Sequence, residues 1–449
     1  MKITLTGCLV ILFLVILILK ERRRVLLDPK MYILAMYWTY WGKVEKINTQ
    51  PLWDVMLAFS FLVYYVTAYC VSWNSKLGIG FYRSLANRMH WDRPFTPLSS
   101  STQIRLVICV LFFVIFNLYV NSIIYGSLDY ALTRFYVRQA LSSVPSYYVT
   151  LMGLMTGLAA LFIFVLRLSN TLFSQSRIPY YICVILFLIV TVPGGSRGMV
   201  MMLLFITVLA DLIASIKYKI PWRKSIFSFS SIIVLCVSVF FFFFLSFIRG
   251  SEVNNVSDLL VELNSFELEE GREHYTEGET DLMMSDYYYT CEQFGTNKPF
   301  LPLWSSASAV IFNWIPRTFW HDKPVGFGRR LAMAKTGRDY TDNILATSGI
   351  VVSSFAVGIC GEGWANGGLI GVMFYSVIMG IYGGVLIRLY RFLFAQNGYV
   401  PLVLAFLFYQ ASGSYIRGDL LSGITQGLYP IIILSILLFV YSKLKKSPN

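Results

Sequence analysis

Apolar runs of about twenty residues recur along the whole chain, and they restrict its fold more than any other feature. A run of this length, folded as a helix, matches the hydrocarbon thickness of a bilayer. In lipid, only helices and closed barrels satisfy all of their backbone hydrogen bonds, and the sequence lacks the short alternating segments of a barrel. The sequence therefore predicts an all-α, polytopic integral membrane protein.

Composition agrees with this prediction. The chain is 56% hydrophobic and only 14% charged, whereas a soluble protein carries about a quarter charged residues. The formal net charge is +13, but the basic residues cluster at the ends of apolar runs, which is typical of membrane topology. We expect no nucleic-acid partner. Walker A, GxGxxG and HExxH motifs do not occur in the sequence, and we predict neither a cofactor nor a metal site.

About eleven helices (ten to twelve) are predicted to cross the membrane. The predicted spans are 3–20, 31–45, 54–73, 105–125, 147–166, 179–193, 198–216, 226–248, 368–387, 400–416 and 426–442. The first is predicted to be a retained span, because basic residues follow it where a signal peptide would have a small-residue cleavage site.

The positive-inside rule gives these spans a sidedness. It places the N-terminus outside and the C-terminus inside, provided that the short segment 31–45 crosses. One large external loop then joins the eighth and ninth spans. The predicted parts, within one integral membrane domain overall, are an N-terminal transmembrane bundle (1–248), a large periplasmic loop with interfacial helices (249–346) and C-terminal transmembrane helices (347–449).

Four arginines fall on the predicted outer side, where positive residues are normally scarce. They are Arg197, Arg249, Arg317 and Arg417, and three of them precede a glycine. Arginine presents a planar fork of donors that binds phosphate, and a glycine lets the backbone approach the same anion. The pattern predicts an anionic ligand in the membrane interface, a lipid phosphate or pyrophosphate. The alternative is that each arginine merely extends to lipid headgroups.

A glycine-rich break, PGGSRG, precedes the span that begins near residue 198. Gly195, Ser196 and Gly198 lie where backbone N–H groups and a helix N-terminus together form an anion-binding nest. We therefore include these three residues among the candidate substrate-binding residues.

Several short motifs carry a family resemblance. They are GGSRG (194–198), IPRTFWHDKP (315–324), GEGWANGGLIG (361–371), IRGD (416–419) and the early segment DPKMYILAMYWTYW. With the long external loop, they make the chain resemble the Wzy-type polymerases of O-antigen and capsule repeat units, within the O-antigen ligase and polymerase group. The resemblance covers most of the chain as an architecture, although each motif is short.

The resemblance implies a reaction at the outer face of the bacterial inner membrane. Such enzymes transfer a growing glycan from one undecaprenyl pyrophosphate carrier to the sugar of a second lipid-linked repeat unit. A hydroxyl attacks the anomeric carbon and undecaprenyl pyrophosphate leaves. The implied partners are the lipid-linked glycan donor and acceptor and the membrane lipids. Whether a chain-length regulator also binds is left open.

This reaction assigns roles to the basic residues. Charge develops on the departing pyrophosphate, so fixed cations aimed at it lower the barrier. Arg197, Arg317 and Arg417 are the predicted catalytic cations, Arg249 is the next candidate, and Lys323 is a further candidate for phosphate contact.

Glu362 is the best candidate for the general base that deprotonates the acceptor hydroxyl. The alternative for Glu362 is an acid at a helix start that complements the helix dipole. His321 and Asp419 lie close to the arginines in sequence and are further substrate-binding candidates. The alternative for His321 is an ordinary histidine in the membrane interface, and the alternative for Asp419 is that it pairs with an arginine.

Three rival functions remain open. A lipid-linked oligosaccharide flippase or another transporter is expected to show charges inside its spans, whereas most charges here lie at span ends. A ligase of the same group shares the reaction chemistry, and the motifs separate it poorly from a polymerase. The third is a membrane protein without enzymatic activity, whose arginines bind headgroups.

Overall fold

A computed structural model describes residues 2–44, 50–91, 95–125, 146–192, 197–248, 279–315, 319–320, 323–335, 357–417 and 420–444. Its helices in chain order are α1 (Leu5–Glu21), α2 (Pro29–Trp41), α3 (Pro51–Asn74), α4 (Ile79–Met89), α5 (Ser100–Tyr125), α6 (Ser146–Phe173), α7 (Ile178–Thr191), α8 (Arg197–Lys217), α9 (Phe229–Ile248), α10 (Glu279–Gln293), α11 (Ser305–Ile311), α12 (Phe327–Lys335), α13 (Gly358–Ala365), α14 (Gly368–Ala395), α15 (Tyr399–Arg417) and α16 (Leu420–Leu444). Short 3₁₀ helices occupy Arg22–Leu27 and Trp222–Lys224. Within these residues the strands are two short ones, β1 (Lys2–Ile3) and β2 (Lys43–Val44), which pair antiparallel.

Seven helices of the described residues are long and apolar enough to cross a membrane. They are Pro51–Asn74, Ser100–Ile123, Leu154–Phe173, Val200–Lys217, Gly368–Ala395, Tyr399–Ile416 and Gly423–Lys443. Ile178–Thr191 and Phe229–Leu245 are apolar but shorter. The prediction of an all-α, polytopic membrane protein is confirmed. A helix also occurs at each of the eleven predicted spans, while the number that cross and the external loop stay predictions.

The chain divides into two compact units. The first comprises Met1–Phe95 and Glu279–Asn449, and the second comprises Thr96–Gly278. The predicted boundaries at residues 248 and 346 concern sidedness along the chain, and they stay a prediction.

The core of the first unit is the packing of α14 against α3. A Cβ atom at Gly380 would lie 2.7 Å from the Tyr64 carbonyl oxygen, and one at Gly384 would lie 2.7 Å from the Ala68 carbonyl oxygen. Glycines spaced four residues apart therefore let the two helix backbones approach closely, as small residues commonly do in membrane proteins. The buried hydroxyls of Ser60 and Ser376 share a hydrogen bond of 2.7 Å across the same interface.

Helix α2 runs back alongside α1. The pairing of β1 with β2 joins the start of α1 to the end of α2, and the Thr4 hydroxyl donates to the Trp41 carbonyl at 2.7 Å. The reversed direction of α2 is what the predicted sidedness requires of segment 31–45. With 13 residues, however, α2 is shorter than the roughly 20 residues that a full crossing needs.

Candidate functional site

Helices α15 and α16 form a tight antiparallel hairpin in the first unit. A Cβ atom at Gly423 would overlap the backbone of Tyr415, and one at Gly427 would lie 2.9 Å from the Cβ of Ala411. The glycines thus bring the end of α15 and the start of α16 into backbone contact. In the sequence, the IRGD motif (416–419) includes the last two residues of α15 and leads into α16.

Two buried side chains accept or donate hydrogen bonds at the facing ends of α15 and α16. The last carbonyls and the first N–H groups of helices have no partner within the helix. The indole Nε1 of Trp41 donates to the carbonyl of Ile416 at 3.1 Å, and the N–H of Leu420 donates to Oε2 of Glu362 at 2.9 Å. Trp41 and Glu362 therefore hold the residues on either side of Arg417 and Asp419.

Glu362 lies on α13 and is fully buried, with 0% of its surface exposed. Gly358 begins α13 with a φ of +63°, and a Cβ atom there would lie 2.6 Å from the Trp41 ring. At the other end of α13, the indole N–H of Trp364 donates to the Cys291 carbonyl at 3.1 Å. Both ends of α13 are thus fixed, so Glu362 has a defined position at the start of α16. Its carboxylate complements the dipole of that helix; the predicted base role of Glu362 and its alternative as an acid at the start of its own span both stay predictions.

The segment that precedes the IPRTFW motif is anchored to the same helices. The Leu301 N–H donates to the Ala365 carbonyl at 2.8 Å, and the side-chain amide of Asn366 donates to the Ser306 hydroxyl at 3.0 Å. Asn366, which belongs to the GEGWANGG motif, is itself 0% exposed. Residues 301–306 therefore pack directly against the end of α13.

Lys323 holds the chain immediately before Arg317. Its ammonium group donates to the carbonyls of Asn313 at 3.0 Å and Ile315 at 2.7 Å. The Asn313 amide in turn donates to the Tyr429 hydroxyl of α16 at 2.8 Å. Lys323 is 9% exposed and two of its donor hydrogens are used in this way, so its contacts give it a positioning role. Its predicted phosphate contact stays a prediction.

Most of the other predicted site residues fall outside the described residues or have side chains that do. Arg417 is the last residue of α15, and Arg197 and Gly198 begin α8 of the second unit; the structure describes the backbone of these three. Outside the described residues lie Gly195, Ser196, Arg249, Arg317, His321 and Asp419.

A buried ion pair in the second unit was not predicted from the sequence. Arg167 of α6 binds Asp211 of α8 through two parallel hydrogen bonds, Nε to Oδ1 at 2.9 Å and Nη2 to Oδ2 at 2.8 Å. Arg167 is 2% exposed and Asp211 is 0% exposed. The hydroxyls of Ser230 and Ser231 accept from the guanidinium at 2.9 and 2.6 Å. In the sequence, Arg167 follows the predicted span 147–166 directly and is typical of a basic residue that marks the inner side.

Two buried cysteines, on α10 and α13, have thiols of low reactivity. Cys291 and Cys360 are buried free thiols, and the Tyr287 hydroxyl lies 3.4 Å from the sulfur of Cys360. Burial raises the pKa of Cys360 to about 12 and raises that of Cys291 as well. Both thiols are therefore protonated at neutral pH and are poor nucleophiles. Among the described residues, no group of three or more His, Cys, Asp or Glu residues could hold a metal ion.

No family model, curated protein or solved structure matches this chain. Function is therefore inferred from the sequence motifs and from the contacts described above.

Proposed function

We propose that the protein is a polysaccharide polymerase. It joins undecaprenyl-pyrophosphate-linked oligosaccharide repeat units, of O-antigen or capsule, at the outer face of the bacterial inner membrane and releases undecaprenyl pyrophosphate. The observation that carries the proposal is the hydrogen bond between Glu362 and Leu420. It ties the GEGWANGG motif to Leu420, the residue that directly follows the IRGD motif (416–419) on which the resemblance also rests.

The anchoring of the two loops supports a shared anion site for Arg317 and Arg417. Asn313 contacts Tyr429, which lies nine residues into α16, or about 14 Å along its axis. Arg317 follows Asn313 by four residues and Arg417 precedes α16 by three, so this contact ties the segment before Arg317 to the helix that follows Arg417. In the proposed site both guanidinium groups serve one pyrophosphate near the start of α16. The roles of Arg197 and Arg249 stay predictions from the sequence.

In the proposed mechanism, the arginines bind the donor pyrophosphate by bidentate hydrogen bonds and neutralise the charge that develops as the glycosidic bond to it breaks. Glu362 accepts the proton of the attacking acceptor hydroxyl. Trp41 and Lys323 hold the backbone segments that lead to Arg417 and Arg317, and positioning of this kind contributes strongly to rate.

Deletion of the gene tests the overall function. We expect loss of long polymer while single repeat units remain attached outside the cell, since export and ligation continue without polymerisation. Loss of all external glycan would instead indicate a flippase or a ligase. Restoration by the wild-type gene on a plasmid is the control, and the polymer ladder on a gel is the measurement.

Substitutions of Glu362 separate its two roles. Glu362→Gln keeps an oxygen that can accept from Leu420, so we expect an unchanged melting temperature and a turnover slowed by about 10²–10⁴-fold. Glu362→Leu leaves the buried Leu420 N–H unsatisfied, which costs about 1–3 kcal/mol of stability. Thermal unfolding of the purified protein and release of undecaprenyl pyrophosphate are the measurements. Full turnover in Glu362→Gln would remove the base role and leave the structural one.

A further inference from the structure

The first unit carries a second cluster of charged and aromatic side chains, far from Glu362. It lies at the end of α14 that contains Arg391, which is 23 residues, or about 35 Å, from the Gly368 end. Lys20 at the end of α1 donates to the Tyr69 hydroxyl at 2.8 Å. Lys20 and Arg391 also lie 5.1 and 5.2 Å from the centroid of the Trp73 ring.

Cations outnumber carboxylates in this cluster. Asp28 forms ion pairs with two cations: its Oδ2 lies 3.4 Å from Nζ of Lys30 and 3.2 Å from Nη2 of Arg391. Glu21 is the second carboxylate, with its Oε1 4.0 Å from Nζ of Lys30. The adjoining 3₁₀ helix Arg22–Leu27 adds further arginines that are exposed. Lys20 and Arg391 approach the same ring, so their charges lie within about one Debye length and repel each other. An anion between them would relieve this repulsion.

The surroundings select the kind of anion. Trp73 is 49% exposed at the end of a membrane-spanning helix, the level at which tryptophan meets lipid headgroups. Exposed apolar side chains occur on the same helices: Leu19, next to Lys20 in sequence, is 73% exposed, and Val66, about two turns before Trp73, is 47% exposed. A free phosphate would use only the cations, whereas a lipid also covers this apolar surface.

We propose that Lys20, Arg391 and Trp73 form a binding site for the phosphate of an anionic glycerophospholipid, whose acyl chains lie along α1 and α3. Basic side chains between helices at a membrane surface are suited to such headgroups. The site is separate from the proposed polymerase site. On the predicted sidedness, it faces the inner leaflet.

Fluorescence of Trp73 tests the proposal in the full-length protein. The protein is reconstituted in phosphatidylcholine vesicles that contain a minor fraction of brominated phosphatidylglycerol or, in a parallel sample, brominated phosphatidylcholine. The Trp73 signal is the difference between wild type and Trp73→Phe. We expect stronger quenching by the brominated phosphatidylglycerol, and a loss of this preference by roughly tenfold or more in Lys20→Gln/Arg391→Gln.

Controls separate a built site from diffuse charge. Arg223→Gln/Lys224→Gln removes the same charge from another exposed basic turn and should leave the preference unchanged. Lys20→Gln alone removes an exposed side chain and should weaken the preference even if loss of Arg391 impairs folding. An equal loss in the control variant, or retention of the preference in both Lys20 variants, would overturn the proposal. Relief of the lipid quenching by added inorganic phosphate would overturn the lipid as the source of the anion.

Discussion

Replacement of Arg167 by methionine is expected to lower the free energy of unfolding by about 3–5 kcal/mol, because it leaves the carboxylate of Asp211 buried without its cation. Asp211 is 0% exposed, so water cannot replace the guanidinium without opening the unit. The serine hydroxyls can donate to the carboxylate, but they carry no charge. Thermal or denaturant unfolding of the purified protein in detergent measures the loss.

Two further variants make this prediction specific. Arg177→Met removes an exposed arginine from the same unit, and its effect should stay within about 0.5 kcal/mol. Arg167→Met/Asp211→Leu removes both charges and should recover most of the stability, as apolar replacements of buried ion pairs often do. If Arg167→Met unfolds like Arg177→Met, the ion pair does not stabilise the unit.

The same double variant bears on the transporter alternative. Charges inside spans are what a transport path would require, and this pair lies six residues from the ends of α6 and α8. Its hydrogen bonds go to protein groups, which supports a structural role. A double variant that folds and still builds long polymer agrees with that role. One that folds but exports no glycan would favour transport.

The positions of the helices could be predicted from the sequence because hydrophobicity is a local property. The ends of the helices often could not be predicted in this way. Hydropathy predicts that one span ends at residue 166 and another at 387, because a basic residue follows each, but α6 continues to Phe173 and α14 to Ala395. Arg167 and Arg391 each pair with an aspartate distant in sequence. Pairing lowers the cost of placing a charge within a helix, and the sequence alone does not reveal the partner.

The start of α16 shows the same limit. Hydropathy placed the last span at 426–442, yet α16 begins at Leu420. Its first N–H group is bound by Glu362, 58 residues earlier in the chain. The motifs around Arg417 and Glu362 could be recognised in the sequence as candidate site residues. The hydrogen bond from Leu420 to Glu362 could not be predicted, because it depends on tertiary contacts. The same holds for the contacts by which Trp41 and Lys323 hold neighbouring backbone segments.

Replacement of Arg417 by lysine is expected to slow polymerisation by about 10²–10³-fold. Lysine keeps the positive charge but lacks the planar fork that binds phosphate oxygens in pairs. The same reasoning applies to Arg317→Lys and, from the sequence, to Arg197→Lys. Turnover is measured as undecaprenyl pyrophosphate released from lipid-linked repeat units, and chain length as the polymer ladder in cells at matched expression.

Arg329→Lys is the matched control, because Arg329 is an exposed arginine of α12 in the same unit, and it should leave turnover unchanged.

The double variant Arg317→Lys/Arg417→Lys then tests whether the two residues act on one anion. Groups that stabilise the same transition-state charge have effects that do not add. If both guanidinium groups bind one pyrophosphate, the turnover of the double variant should be only a little slower than that of the slower single variant. Strictly additive losses would instead place the two arginines on separate phosphates, one on the donor and one on the acceptor, and normal chains from Arg417→Lys would end its role in catalysis.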